Sequence, residues 1–160
     1  MKKRIYLGLG TNLGDRQENL TRAIEALSLA LGTCKAQSSF METEPWGFES
    51  ENGFLNCVAA FDTELTPTEL LDTTERIERE LGRTQKSHGG SYHNRIIDID
   101  ILLYGDEVVE CQRLTIPHPL MHKRDFVLEP LAQIAPDAIH PIFGKSIAEL
   151  AEEQRKNNNL

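Results

Sequence analysis

Apolar and polar positions alternate along this chain with two periods, and the changes of period mark out its elements. Ile5-Tyr6-Leu7-Gly8-Leu9 is a short, largely apolar run that predicts a central strand. After the turn cluster at 10–15, Leu20, Ile24, Leu27 and Leu31 recur at helical spacing, and Gly32 supplies a stop. Residues 33–43 predict a second strand with Cys34, Ala36, Ser38 and Phe40 on one side. Residues 54–63 predict a third strand, paired antiparallel with the second. Between them lies a Gly/Pro loop that carries the only tryptophan, Trp46. Thr66, Pro67 and Glu69 then form a helix start with a capping box. Leu70, Leu71, Thr74, Ile77 and Leu81 supply the buried stripe of that helix, and Gly82 closes it.

A polar loop over 83–94, with a Gly-Gly pair, leads to the most unusual stretch, Arg95-Ile96-Ile97-Asp98-Ile99-Asp100-Ile101-Leu102-Leu103-Tyr104-Gly105. Read with a period of two, it places Ile97, Ile99, Ile101 and Leu103 on one apolar face and Asp98 and Asp100 on the other. Aspartate is a poor strand former, so two of them in mid-strand run against local propensity, as residues at functional sites often do. Their backbones lie about 7 Å apart, close enough for both carboxylates to reach the same hard cations. Gly105-Asp106 predicts a hairpin turn into Glu107-Val108-Val109, and 114–119 is held extended by its prolines. Two further helices follow, one carrying Phe126, Val127, Leu131 and Ile134, the other opening at Ser146 with Glu149 as its capping partner. The order β-α-β-β-α-β predicts a ferredoxin-like α+β fold with helices on one face of the sheet and a C-terminal extension.

Composition narrows the class without changing that picture. A length of 160 residues, 39% hydrophobic and 26% charged, fits one soluble globular domain over 1–160. No apolar run approaches a membrane span, the N-terminal residues lack an apolar signal core, and Cys34, Cys57 and Cys111 suit reduced thiols; together these predict a cytoplasmic protein. A net charge of −8 argues against a general nucleic-acid binder. The cations are nevertheless clustered. Arg83, Lys86 and Arg95 precede or open the Asp strand, while Arg113, Lys123 and Arg124 follow it, a placement that suits a small polyanion such as a nucleotide. Arg76 and Arg79 read as ordinary helix-surface charge.

Paired aspartates, surrounding arginines and the His118-Pro119 segment have one chemistry in common. Carboxylates holding Mg²⁺, with arginine clamps on phosphate oxygens, are what phosphoryl transfer requires. The turn at 10–15 lacks the lysine and spacing of a P-loop, so it carries little weight as a phosphate cradle. A metal-dependent nucleotidyltransferase or phosphohydrolase, or a non-enzymatic ligand-binding module on the same fold, fits these residues as well.

In its ordered motifs the chain resembles the 6-hydroxymethyl-7,8-dihydropterin pyrophosphokinases of folate biosynthesis. These motifs are Leu9-Gly10-Thr11-Asn12-Leu13-Gly14, Thr43 with Pro45-Trp46-Gly47, Phe54-Leu55-Asn56, Glu75-Arg76-Ile77-Glu78 with Gly82-Arg83, the Asp strand, Arg113-Leu114-Thr115-Ile116-Pro117-His118, and Arg124. The resemblance implies transfer of pyrophosphate from ATP to the dihydropterin hydroxymethyl group, releasing AMP; the chain is expected to be a monomer. It implies that Asp98 and Asp100 bind two Mg²⁺ and that Arg83, Arg95 and Arg124 hold the phosphates with His118. Arg83, Arg95, Asp98 and Asp100 form its catalytic set. Glu78, Ile101, Arg113, Leu114 and Thr115 are placed along the nucleotide, and Thr43, Pro45, Trp46, Phe54, Asn56, Tyr92 and Phe126 around the pterin. The chain departs from the pattern at Tyr92-His93-Asn94, where Trp-Gly-Pro is usual, at Gln85, where arginine is frequent, and at Pro119, where some members carry an aromatic residue.

Overall fold

A computed structural model describes residues 2–43, 53–82 and 96–158. Its main sheet is built on β1 (Lys3–Thr11), which pairs antiparallel with β4 (Leu55–Thr63) on one side and with β5 (Asp98–Tyr104) on the other. Two short pieces, β2 (Ala36–Gln37) and β3 (Met41–Glu42), pair with the far side of β4. The order β2-β4-β1-β5, with α1 (Arg16–Leu31) and α2 (Pro67–Gly82) as the two crossovers, is the expected ferredoxin-like arrangement. Both crossover helices cover one face: Leu20 and Leu27 of α1 and Leu70 and Ile77 of α2 pack against Ile5, Leu7, Leu9, Phe61 and Ile99.

The second face is covered as well, which the expectation of helices on a single face omits. After a 3₁₀ turn at Met121–Lys123, α3 (Asp125–Ile134) and α4 (Ile147–Asn158) bury Leu128, Leu131, Ile147 and Ala151 against Val58, Leu102 and Leu103. The C-terminal extension is therefore a third layer of the core, anchored by its own helix start. Ser146 and Glu149 cap each other reciprocally at 3.1 and 3.0 Å, as Thr66 and Glu69 do for α2 at 3.2 and 2.9 Å.

Three strand expectations are corrected, each by a long-range contact. The second strand is not continuous over 33–43, because Ala36 pairs with Ala60 but Met41 with Asn56, so five steps on one side meet four on the other. The extra residue is accommodated by Ser38, whose hydroxyl accepts the Val58 N–H at 2.9 Å in place of the ladder. In β5 a register shift opposite Tyr6 and Leu7 inserts Leu102, so Leu103 turns to the α3/α4 face and Tyr104 takes its place on the α1/α2 face. The turn at Gly105 forms, with φ +53°, yet the chain does not return along β5. The outer edge of that strand is already engaged: Ile99 N–H donates to the Glu78 carboxylate at 2.8 Å, and the Leu102 carbonyl accepts from His118 N–H at 3.1 Å. The following strand, β6 (Val109–Glu110), pairs instead with β7 (Thr115–Ile116) in a separate ribbon. Among the described residues no helix is long and apolar enough to cross a membrane.

The third layer carries a titration consequence. His140 is buried, its Nδ1 accepts the N–H groups of Ile142 and Phe143, each at 3.3 Å, and its ring stacks on Phe143 at 4.4 Å. Burial, helped by His122, pushes its pKa below the ordinary 6.5. The unfolded chain therefore takes up a proton here before the folded one does. Stability is complete above about 6.5 and is lost as the pH falls from there toward the folded value. Melting temperatures should fall as the pH drops below about 7. His140→Asn, which keeps an acceptor without titrating, should flatten that slope; an unchanged slope would remove His140 from the account.

Candidate active site

The site follows from the register of the three central strands. Opposed residues in an antiparallel pair point to the same face, so Asn56, Gly10 and Asp98 form one row across the sheet and Val58, Gly8 and Asp100 the next. Both central positions are glycine, leaving a trough with an asparagine on one bank and two carboxylates on the other. At Gly10 the missing side chain is a requirement, since a Cβ there would stand 2.7 Å from Asn56 Oδ1. The trough is the floor of a cleft of about 1080 Å³ roofed by the start of α3, with Thr43, Phe54, Arg124 and Phe126 in its walls.

The two banks differ in chemistry. Asn56 is buried, and its Nδ2 has no hydrogen-bond partner among the described residues, an arrangement that costs free energy until a ligand carbonyl or similar acceptor arrives. Beside it, Thr43 is fixed to Phe54 by a backbone hydrogen bond of 2.8 Å, which joins the two wall residues across the β3–β4 ladder. On the other bank, Asp98 and Asp100 are half-buried. His118 Nδ1 accepts the Leu120 N–H at 3.2 Å, so in the neutral ring the proton sits on Nε2, which faces Asp100 Oδ2 at 4.0 Å. Burial holds the His118 pKa below its ordinary value, and Arg124 pushes the same way against the opposing pull of Asp100. The ring is thus a neutral hydrogen-bond donor near neutral pH. Arg124 lies with its guanidinium carbon 5.4 Å from the Phe126 ring centroid, a cation–π distance. Among the described residues neither Arg124 nor Lys123 makes an ion pair, and both line the cleft.

Of the expected site residues, Asp98, Asp100, Thr43, Phe54, Asn56, Arg124 and Phe126 line this cleft, and His118 borders it through Asp100. Five others gather elsewhere, beside the outer edge of β5. Glu78 caps Ile99 N–H there, Ile101 is buried on the α1/α2 face, and Leu114 packs against that same core. Thr115 lies exposed on β7, and Arg113 is paired with Asp72 at 2.7 Å and Glu75 at 3.0 Å on α2. His118 joins the two regions, with its backbone on the β5 edge and its ring toward Asp100. Arg83, Arg95, Pro45, Trp46 and Tyr92 lie outside the described residues. Gly8 and Gly10 received no site role from the sequence, although glycines two apart in a central strand were the signal available. Met41, Glu42, Leu120 and Gln154 also line the cleft, and nothing in their local sequence marks them.

A family model described as 7,8-dihydro-6-hydroxymethylpterin-pyrophosphokinase matches residues 6–136. The chain belongs to this family. Its relatives include a 2-amino-4-hydroxy-6-hydroxymethyldihydropteridine pyrophosphokinase of Porphyromonas gingivalis, 54% identical over 86% of this chain and 93% of that protein. The Aquifex aeolicus protein of the same name is 45% identical over 93% of this chain and 91% of its own length. Among solved structures, an HPPK-DHPS in complex with substrates superposes with a TM-score of 0.75 at 15% identity, and Plasmodium falciparum HPPK-DHPS with pteroate does so with 0.76 at 17%. The match covers 99% and 100% of this chain but only 44% of each of those longer chains, so at these identities it speaks to the fold. The reaction of a pyrophosphokinase of this family is pyrophosphoryl transfer from ATP to 6-hydroxymethyl-7,8-dihydropterin in folate biosynthesis. The cleft has the polarity such a reaction needs, with an amide across from two carboxylates and with aromatic rings and cations in its walls.

Proposed function

We propose that pyrophosphoryl transfer takes place across this trough, with the pterin on the Asn56 bank and the ATP phosphates on the Asp98/Asp100 bank. The observation that carries the assignment is the orphaned Nδ2 of Asn56, a residue lining a cleft whose opposite side holds both aspartates. Phe54 and Phe126 stack on the flat heterocycle while Asn56 and Thr43 read its polar edge. Tyr92, Pro45 and Trp46 complete that subsite.

The donor set on the other bank fits Mg²⁺. Both ligands are hard carboxylate oxygens, and among the described residues no third His, Cys, Asp or Glu joins them. Mg²⁺ is commonly held by one or two carboxylates, its remaining positions going to water and substrate phosphates. Asp98 and Asp100 would hold two such ions, which when bound offset charge on the phosphates. Arg124 and the His118 Nε2–H bind phosphate oxygens, and Arg83 and Arg95 supply further cations. The nucleoside lies along the outer edge of β5 among Glu78, Ile101, Arg113, Leu114 and Thr115. For it to do so, Arg113 exchanges at least one of its α2 carboxylates for the nucleotide. In the transfer itself the pterin hydroxyl oxygen bonds to the β-phosphorus and gives up its proton to water. The bond from that phosphorus to the α,β-bridging oxygen breaks, and AMP departs. Holding both partners in line and neutralising charge account for most of the acceleration. The enzyme works as a cytoplasmic monomer, with 1–160 forming a single pyrophosphokinase domain.

Turnover with ATP, Mg²⁺ and the dihydropterin tests this reading. AMP should form only when the pterin is present, and ATP binding measured by calorimetry should weaken when Mg²⁺ is withheld. Release of free pyrophosphate, or AMP formation without pterin, would point to a nucleotidyltransferase or phosphohydrolase instead.

A further inference from the structure

Thr11, the turn at 12–15 and the start of α1 take no part in the chemistry proposed above, yet they are bonded to segments that flank both banks of the cleft. On one side, Asn19 Nδ2 donates to Thr11 Oγ1 at 3.2 Å and to the Leu13 carbonyl at 2.7 Å, and the Thr11 hydroxyl bonds to the Ile96 carbonyl just ahead of the Asp strand. On the other side stands Arg16. Its Nη1 donates to the Gly53 carbonyl at 2.8 Å, and its Nη2 lies 3.5 Å from Glu42 Oε1. Glu42 immediately precedes Thr43 and Gly53 immediately precedes Phe54, so one guanidinium spans the mouth of the β3–β4 ladder where two cleft-wall residues face each other.

Arg16 is also misplaced by local rules. It occupies the first turn of α1, where the helix dipole disfavours a cation, and Asp15 already caps the helix through the Glu18 N–H at 3.1 Å. Its side chain is only 27% exposed. A cation held against the dipole and partly desolvated is explained by its two acceptors on the far strands, in a planar fork that lysine cannot reproduce.

We propose that Arg16 is a positioning residue for the pterin bank, holding Thr43 and Phe54 at their spacing from Asn56. This rests on the pterin lying on that bank. Arg16→Met should raise the KM for the dihydropterin about tenfold, the scale of one lost charge-assisted hydrogen bond. The KM for ATP and kcat should stay within about twofold. Arg16→Lys, which satisfies one acceptor but not both, should fall between. Glu42→Gln, at a 63% exposed side chain that tolerates substitution, should reproduce part of the effect without disturbing the fold. Phe54→Ala serves as the reference for the bank itself. If Phe54→Ala raises the pterin KM and Arg16→Met does not, the brace is wrong. If both KM values and the melting temperature move together in Arg16→Met and Glu42→Gln, Arg16 is merely structural and the proposal fails. If Phe54→Ala leaves the pterin KM unchanged, the pterin does not lie on this bank, and the role of Arg16 falls with that reading.

Discussion

Asp98→Ala is expected to reduce AMP formation from ATP and the dihydropterin by at least about a thousandfold, or roughly 4 kcal/mol of transition-state stabilisation. The carboxylate stands in the row Asn56–Gly10–Asp98, directly across the trough from the proposed pterin site. Its partner Asp100 sits one row along the same face, and with a single carboxylate remaining the bank loses half of the hard donors it offers a divalent cation. The fold should survive. Aspartate is a poor strand residue and alanine is no worse, so the melting temperature should move by only a few degrees. Asp98→Asn, which keeps an oxygen but loses the charge, should fall between the two. Rates are to be measured as AMP produced at saturating substrates, alongside a thermal melt. A near-normal rate in Asp98→Ala would falsify the assignment of this strand to the phosphate centre.

Gly10→Ala should separate the two banks. The added Cβ would stand 2.7 Å from Asn56 Oδ1, inside any tolerable contact, and the mobile partner is the asparagine amide. That amide is expected to turn away from the trough, carrying its Oδ1 and its unsatisfied Nδ2 out of their present positions. The kcat/KM for the dihydropterin should then drop about a hundredfold, close to 2.7 kcal/mol. ATP binding should change by less than about twofold, because the phosphate bank is untouched. Stability should be nearly unchanged, since alanine gains roughly 0.5–1 kcal/mol over glycine in a strand interior and the displaced group is only a side chain. Gly8→Ala provides the comparison. Its Cβ would meet Leu102 at 3.4 Å, an ordinary contact, so the smaller effect is expected there. If Gly10→Ala binds pterin as well as the parent does, Asn56 is not the residue that reads it.

Much of this organisation is legible in the sequence. The caps of α2 and α4 were readable because a capping box is a contact between residues three apart, and both form as expected. The buried stripes of α1 and α2 and the apolar character of β1 were readable for the same local reason. The pair Asp98 and Asp100 was readable because a period of two puts alternate residues on one face before any partner strand is known.

What failed was whatever depended on counting residues across two strands. Leu103 was expected beside Ile101 and lies on the opposite face, because Leu102 is an extra residue relative to Tyr6 and Leu7. The second strand broke at Ser38 for the same kind of reason, and β6 left β5 because Glu78 and His118 already occupied its outer edge. The separation of the nucleotide residues from the cleft, with Arg113 drawn to Asp72 and Glu75, likewise depends on where α2 sits. By itself the sequence determined the elements, their order and the residue types the chemistry needs, since those follow from contacts a few residues apart. Only the tertiary structure decided that Gly8 and Gly10 open a trough between Asn56 and the two aspartates, because that depends on the register of three strands brought together from distant parts of the chain.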